Sequence, residues 1–176
     1  GLLWDKTINV DGMKTGHTSQ AGYNLVASAT TPNNMRLISV VMGVPTYKGR
    51  EVESKKLLQW GFANFETFKT LEAGKEISEQ PVYYGNKGSV KLGTLQDSFI
   101  TVPKGKQNEL KARYELESKN LQAPLAKGQV VGKVIYQLEG KDIAAVNLQV
   151  MDEVGEAGIF GKAWDWLVLT VKGLFA

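Results

Sequence analysis

Cysteine is missing from all 176 residues, and histidine occurs once, as His17. Those two shortages exclude a disulfide framework, a thiolate metal site and a histidine cluster, and no cofactor or metal is expected. No apolar run approaches the roughly 20 residues that a spanning helix needs. Residues 1–20 lack the basic start, apolar stretch and small-residue cleavage site of a signal peptide. An excess of one charge is also lacking. The 21 Lys and Arg are interleaved with 18 Asp and Glu for a net charge of +3, too weak and dispersed for a nucleic-acid partner. Repeats and low-complexity tracts are absent. The 43% hydrophobic and 22% charged residues, with 19 Gly and 5 Pro, instead describe a soluble globular chain with a packed core. The length accommodates one ordinary domain or two small ones.

The first third reads as strand, hairpin, helix. A short segment runs to Lys14-Thr15-Gly16. Next, Ala21, Tyr23, Leu25, Ala27 and Ala29 alternate with Gly22, Asn24, Val26, Ser28 and Thr30, and small residues on both faces predict a strand packed between layers. Thr31-Pro32-Asn33-Asn34 is turn chemistry, and Met35 to Met42 is a β-branched-rich return strand. Beyond Lys48-Gly49 the period becomes helical, with Ser54, Leu57, Leu58, Gly61, Phe62 and Phe65 as the inward stripe of a helix from about Arg50 to Phe65. Residues 66–157 carry short alternating runs and spaced glycines. Strands are expected at 79–84, 98–102, 110–116, 130–138 and 143–150, the last two joined through Glu139-Gly140-Lys141, as in a small sandwich or barrel. From Gly158 the period is helical again, with Phe160, Ala163, Trp164, Leu167, Val168, Val171, Leu174 and Phe175 on one face.

Lys14-Thr15-Gly16 is the motif that carries chemistry. A K-T-G string at a strand end, ahead of a hairpin, is the setting of the third active-site element of penicillin-binding proteins and class A β-lactamases. An acyl-transfer site for a peptide ending in a carboxylate needs a cation, a hydroxyl and backbone N–H groups along one strand edge. Gly16 lets a substrate backbone approach closely. Out of context, Lys14 also reads as a solvated strand-end lysine and Arg50 as a surface arginine at a helix start.

The context is specific. Asp11-Gly12-Met13-Lys14-Thr15-Gly16-His17-Thr18, followed by Ala21 to Ala29, resembles the low-molecular-mass penicillin-binding proteins 5 and 6, the D-alanyl-D-alanine carboxypeptidases. So do Arg36 to Gly43, Glu53 to Leu58 with Trp60-Gly61-Phe62, Ala123-Pro124-Leu125 and Gln129 to Gly132, and the likeness spans essentially the whole chain. The resemblance implies that Lys14 is the cation of the third motif and that Thr15 hydrogen-bonds the substrate's terminal carboxylate. It further implies that the His17 N–H is half of the oxyanion hole and that Arg50 pairs with the same carboxylate. Two family elements are missing: no serine begins the S-x-x-K of the nucleophile, and Ser118-Lys119-Asn120 fits S-x-N only in the wrong order and the wrong domain. Gly155 to Lys162 is not a phosphate loop, because its spacing is one residue too long and Ala163 stands where Ser or Thr is needed.

The expected fold is therefore α+β: residues 1–63 as the C-terminal strands and helix of a β-lactamase/transpeptidase-like domain, 64–157 as a small all-β stalk, and 158–176 as a terminal amphipathic helix. The chain reads as part of a serine-type carboxypeptidase that trims the terminal D-alanine of peptidoglycan pentapeptides and is acylated by β-lactams, inactive alone without its nucleophile. The expected partners are the peptidoglycan stem peptide, β-lactam antibiotics, the missing N-terminal part of the catalytic domain and a membrane surface. About 16 helical residues at about 1.5 Å each reach roughly 24 Å, short of the roughly 30 Å hydrocarbon core. Phe160, Trp164, Leu167, Val168, Val171 and Phe175 are thus expected to contact a membrane in its interface plane, at the periplasmic face of the inner membrane. The competing reading packs that apolar face on the β-rich domain. Two other functions compete: a non-catalytic cell-envelope module and a class A β-lactamase relative, the latter disfavoured by more than a hundred residues after the hairpin.

Overall fold

The computed structural model describes residues 1–174, so Phe175 lies outside the described residues. In chain order the elements are β1 (Asn9–Thr18), β2 (Gly22–Thr30), β3 (Arg36–Val44), α1 (Tyr47–Asn64), β4 (Phe65–Leu71), β5 (Glu76–Tyr83), β6 (Ser89–Gly93), β7 (Ser98–Pro103), β8 (Lys111–Leu116), β9 (Leu121–Gln122), β10 (Val130–Leu138), β11 (Lys141–Val150) and α2 (Ile159–Leu174). The α+β class is as expected. The chain divides into two compact units, one of residues 1–68 with 100–108 and one of 69–99 with residues from 109 onward. β4 pairs with β7 as a two-stranded ribbon.

The first unit is built on an antiparallel sheet in the order β1-β2-β3. β2 is central, and Ala27, Ser28 and Ala29 are buried on both of its faces, which is why small residues fill it. The hairpin to β3 closes through Thr31, whose N–H donates to the Met35 carbonyl at 2.9 Å, and through Asn34, which adopts the left-handed φ of 61° that asparagine tolerates. Thr46 caps α1 by accepting from the Gly49 N–H at 3.0 Å, and so the helix starts three residues earlier than the apolar period predicts. Its inward stripe is Arg50, Ser54, Leu58 and Gly61. Leu58 is 1% exposed in a core with Leu2, Leu25, Ala27 and Ala29, whereas Leu57, expected on that stripe, is 50% exposed. Phe65 does not extend the helix but opens β4. Ser54, Leu58 and Gly61 are buried as expected; the apolar period missed only Arg50, whose charge does not register in it, and wrongly included Leu57.

The second unit is a six-stranded sheet in the order β8-β10-β11-β6-β5-β9, antiparallel except for the short β5–β9 pair. Its core holds Leu92, Leu148, Val150 and Val154. β10 and β11 form a hairpin in which Leu138 faces Lys141. The two residues between them, Glu139 and Gly140, have φ of 51° and 79°, the left-handed pair that a two-residue turn requires. The expected strands all form. β4, β6 and β9 were not anticipated, β6 and β9 because five and two residues are too few to show a period. Among the described residues no helix is long and apolar enough to cross a membrane.

Candidate functional site

β1 is an edge strand, and its residues from Met13 to Thr18 are exposed. On its inner side Lys14 faces Val26, Thr15 faces Leu25, Gly16 faces Asn24 and His17 faces Tyr23. Among the described residues no strand pairs with its outer edge, which is open to an extended peptide. The Lys14 Nζ folds back to donate to the Thr15 carbonyl at 3.1 Å. A Cβ added at Gly16 would meet nothing nearer than the Asn24 Cβ at 4.0 Å. Packing within this chain therefore does not require glycine there; close approach of a bound molecule would. An open cleft of about 360 Å³ borders the motif, with Lys14, Thr15, Tyr47 and Glu51 in its wall.

Behind the strand, Arg50 is only 5% exposed. Its Nη1 donates to the carbonyls of Gly16 at 3.3 Å and Asn24 at 3.4 Å, and among the described residues its Nε has no hydrogen-bond partner. The guanidinium carbon lies 4.5 Å from the Tyr47 ring centre and 5.6 Å from that of Tyr23. Tyr23 in turn stacks on His17 at 3.9 Å and meets Tyr47 edge-on at 6.3 Å. The arrangement holds a buried cation with aromatic faces and carbonyl dipoles in place of a carboxylate. Sequence reasoning did not single out Tyr23 or Tyr47. The available signal was the three-residue spacing of Tyr47 and Arg50, which puts them on one helix face. At the far end of β1, Arg36 bridges Asp11 at 2.8 Å and also donates to the Ser28 hydroxyl. The Arg36 hydrogen bond, aided by Ser28, holds the Asp11 carboxyl below its ordinary range.

Helix α2 belongs to the second unit and shows two faces. Lys162, Asp165, Val168 and Leu169 are half-buried, while Phe160, Trp164, Leu167 and Val171 are exposed, Phe160 at 93% and Trp164 at 66%. The side turned to the protein is thus the one with charged residues, the reverse of an ordinary surface helix. That contradicts the expectation of a helix packed by its apolar stripe on the β-rich domain.

The K-T-G edge strand, its hairpin and the β-rich unit define a class of protein, and comparison with known proteins supplies the family. Residues 65–156 match the family "Penicillin-binding protein 5, C-terminal domain", and residues 1–46 match "D-alanyl-D-alanine carboxypeptidase". The chain belongs to the D-alanyl-D-alanine carboxypeptidase family of the penicillin-binding protein 5 type. It is 88% identical over all 176 residues to the D-alanyl-D-alanine carboxypeptidase DacA of Haemophilus influenzae, covering 45% of that protein. It is 54% identical to DacA of Escherichia coli over 96% of the chain and 42% of that protein. Among solved structures, penicillin binding protein 5 from Haemophilus influenzae superposes with a TM-score of 0.79 at 86% identity, over 88% of this chain and 45% of that one. DacD from Francisella tularensis superposes with a TM-score of 0.57 at 33% identity, over 84% of this chain and 37% of that one. The chain spans less than half the length of these curated relatives.

Proposed function

We propose that this chain is the substrate-positioning part of a serine-type D-alanyl-D-alanine carboxypeptidase that removes the terminal D-alanine from peptidoglycan pentapeptides through an acyl-enzyme and is acylated by β-lactams at the same serine. The observation that carries the reading is the exposed edge of β1, where Lys14, Thr15 and Gly16 follow one another. A peptide laid along that edge makes backbone hydrogen bonds, with the Thr15 hydroxyl at its carboxylate and the Lys14 cation nearby. The His17 N–H contributes to the oxyanion hole. Arg50 adds positive potential behind Gly16, favouring a substrate anion. The high identity to proteins named D-alanyl-D-alanine carboxypeptidase supports the same reading.

The nucleophile is not in this sequence, since none of its serines begins S-x-x-K. The chain alone therefore forms no acyl-enzyme, and its partner is the remainder of the catalytic domain. Ile38, Val40 and Met42, exposed together on alternate positions of β3, are a face for that remainder to cover. Residues 1–63 form the catalytic part, 64–157 a stalk and the segment from 158 onward, which carries α2 (Ile159–Leu174), the membrane-contacting part, so that the protein lies peripherally at the periplasmic face of the inner membrane. The exposed Phe160, Trp164, Leu167 and Val171, flanked by Val168, are the contacting residues within the described chain.

Labelled penicillin tests the enzyme reading. The full-length protein is expected to be labelled stably and this chain not at all. Stable labelling of the chain alone overturns its assignment as the half without the nucleophile, and an unlabelled full-length protein overturns the activity. Truncation after Gly158 is expected to abolish flotation with liposomes, and unchanged flotation overturns the membrane contact.

A further inference from the structure

The charged side of α2 is not idle. The Asp165 Oδ2 accepts a hydrogen bond from the backbone N–H of Tyr84 at 2.6 Å. Two turns further on, the Lys172 Nζ donates to the Tyr83 hydroxyl at 2.7 Å and lies 5.4 Å from that ring's centre. The chain entering the helix grips the same corner. The Ala157 N–H donates to the Tyr84 carbonyl at 2.7 Å and the Asn86 N–H to the Gly155 carbonyl at 2.9 Å. Tyr84 holds a left-handed φ of 60°, a conformation a bulky residue adopts only when its surroundings impose it. Both groups of Tyr84's backbone are thus bonded to the helix or its approach.

We propose that Asp165 and Lys172 form a polar latch that clamps α2 onto the Tyr83–Tyr84 corner at the end of β5 and fixes the roll of the helix, so that its Phe160–Trp164–Leu167–Val171 face is presented outward to a lipid surface. The inference rests on the membrane reading above and deepens it. Two attachments about 10 Å apart along one face, at 1.5 Å per residue, prevent rotation about the axis as well as detachment. A free amphipathic helix would bury its apolar face on the nearest protein surface. The latch opposes that collapse by satisfying Asp165, Lys172 and the Tyr84 N–H only when the charged face is inward. The orientation that lipid binding needs is therefore set before the surface is met, which reduces the ordering lost on binding.

The test uses the full chain and three substitutions, Asp165→Ala, Lys172→Met and the conservative Tyr83→Phe, which keeps the ring and removes only the hydroxyl. The first readout, without lipid, is hydrogen exchange at the Tyr84 amide. It is expected to accelerate about 10-fold or more in Asp165→Ala and by a smaller factor in Lys172→Met and Tyr83→Phe. The second is quenching of Trp164 by brominated lipid in phosphatidylethanolamine–phosphatidylglycerol vesicles, with the other tryptophans replaced by Phe. Deep, uniform quenching in the unsubstituted background is expected to become weaker and broader when the latch is cut, with vesicle affinity about 3- to 10-fold lower. Unchanged Tyr84 exchange in Asp165→Ala overturns the latch whatever happens with lipid. Accelerated exchange with unchanged Trp164 quenching overturns its role in setting the roll. If the unsubstituted chain binds no vesicles, the membrane reading fails, and the exchange measurement still decides the latch.

Discussion

The guanidinium carbon of Arg50 lies 4.5 Å from the ring centre of Tyr47, one helical turn earlier on the face of α1 that backs the K-T-G strand. The pair couples the helix to the main chain of Gly16, because the same guanidinium donates to the Gly16 carbonyl. Lysine keeps the charge but loses the planar fork that stacks and donates at once. In the full-length protein, Arg50→Lys is expected to slow acylation by penicillin by about 10-fold and Arg50→Met by about 100-fold, as loss of a hydrogen bond to a charged group would give. Acylation kinetics, with thermal midpoints measured alongside, check this. Rates unchanged in a folded Arg50→Met protein remove Arg50 from the site.

Leu58 and Leu57 are neighbours on α1 with opposite surroundings. Leu58→Ala empties a fully buried site against Leu2, Leu25, Ala27 and Ala29 and is expected to cost about 2–5 kcal/mol. Leu57→Ala in this chain is expected to change stability by less than about 0.5 kcal/mol. Urea unfolding of the two variants distinguishes them, and equal effects would show the inward stripe to be wrongly assigned.

Gly132 sits where β10 crosses close to β8. A Cβ there would lie 2.3 Å from the Glu115 carbonyl oxygen and 3.1 Å from the Leu116 Cα, both backbone atoms that cannot rotate away. Gly132→Ala is expected to destabilise by about 1–3 kcal/mol through overpacking. Gly88→Ala, where nothing lies within 4 Å, is its control. Denaturation midpoints that shift equally for both would refute the close approach.

Asp5 is paired with Lys55 at 2.5 Å, and that hydrogen bond, followed by those from Thr7, holds its carboxyl well below the ordinary carboxylate range. A carboxyl lowered in the folded state contributes stability above its unfolded value of about 3.9. That contribution is lost as the pH falls from there toward the folded value. Stability is therefore expected to decline as pH drops below about 4, and to decline less steeply in Asp5→Asn. Unfolding curves across the acid range decide it, and parallel pH profiles for the two proteins would discount the pair.

Phe160 and Trp164 lead the outward face of α2. Replacing both by Ser removes apolar area without touching Asp165 or Lys172, and vesicle affinity is expected to fall by about 10-fold or more. Sedimentation with liposomes measures it, and retained affinity would place the lipid contact elsewhere.

By itself the sequence determined what is local. The Thr31–Asn34 and Glu139-Gly140 turns, the small-residue strand β2, the K-T-G string and the two-sided composition of α2 all follow from dihedral preferences and periods that a few adjacent residues express. It also determined the family, because the likeness extends along the whole chain. Tertiary structure decided what depends on residues far apart. Arg50 reads as a surface arginine until Gly16, Tyr23 and Asn24, 26 or more positions away in the chain, close over it, and the sheet that α1 meets turns Arg50 inward and Leu57 outward where the apolar period indicated neither. The roll of α2 was decided the same way. Its period specified an apolar and a charged face, but which one turns to the protein depends on Tyr83 and Tyr84, some eighty residues earlier. Periodicity describes the faces of a helix, and only its bonding partners choose between them.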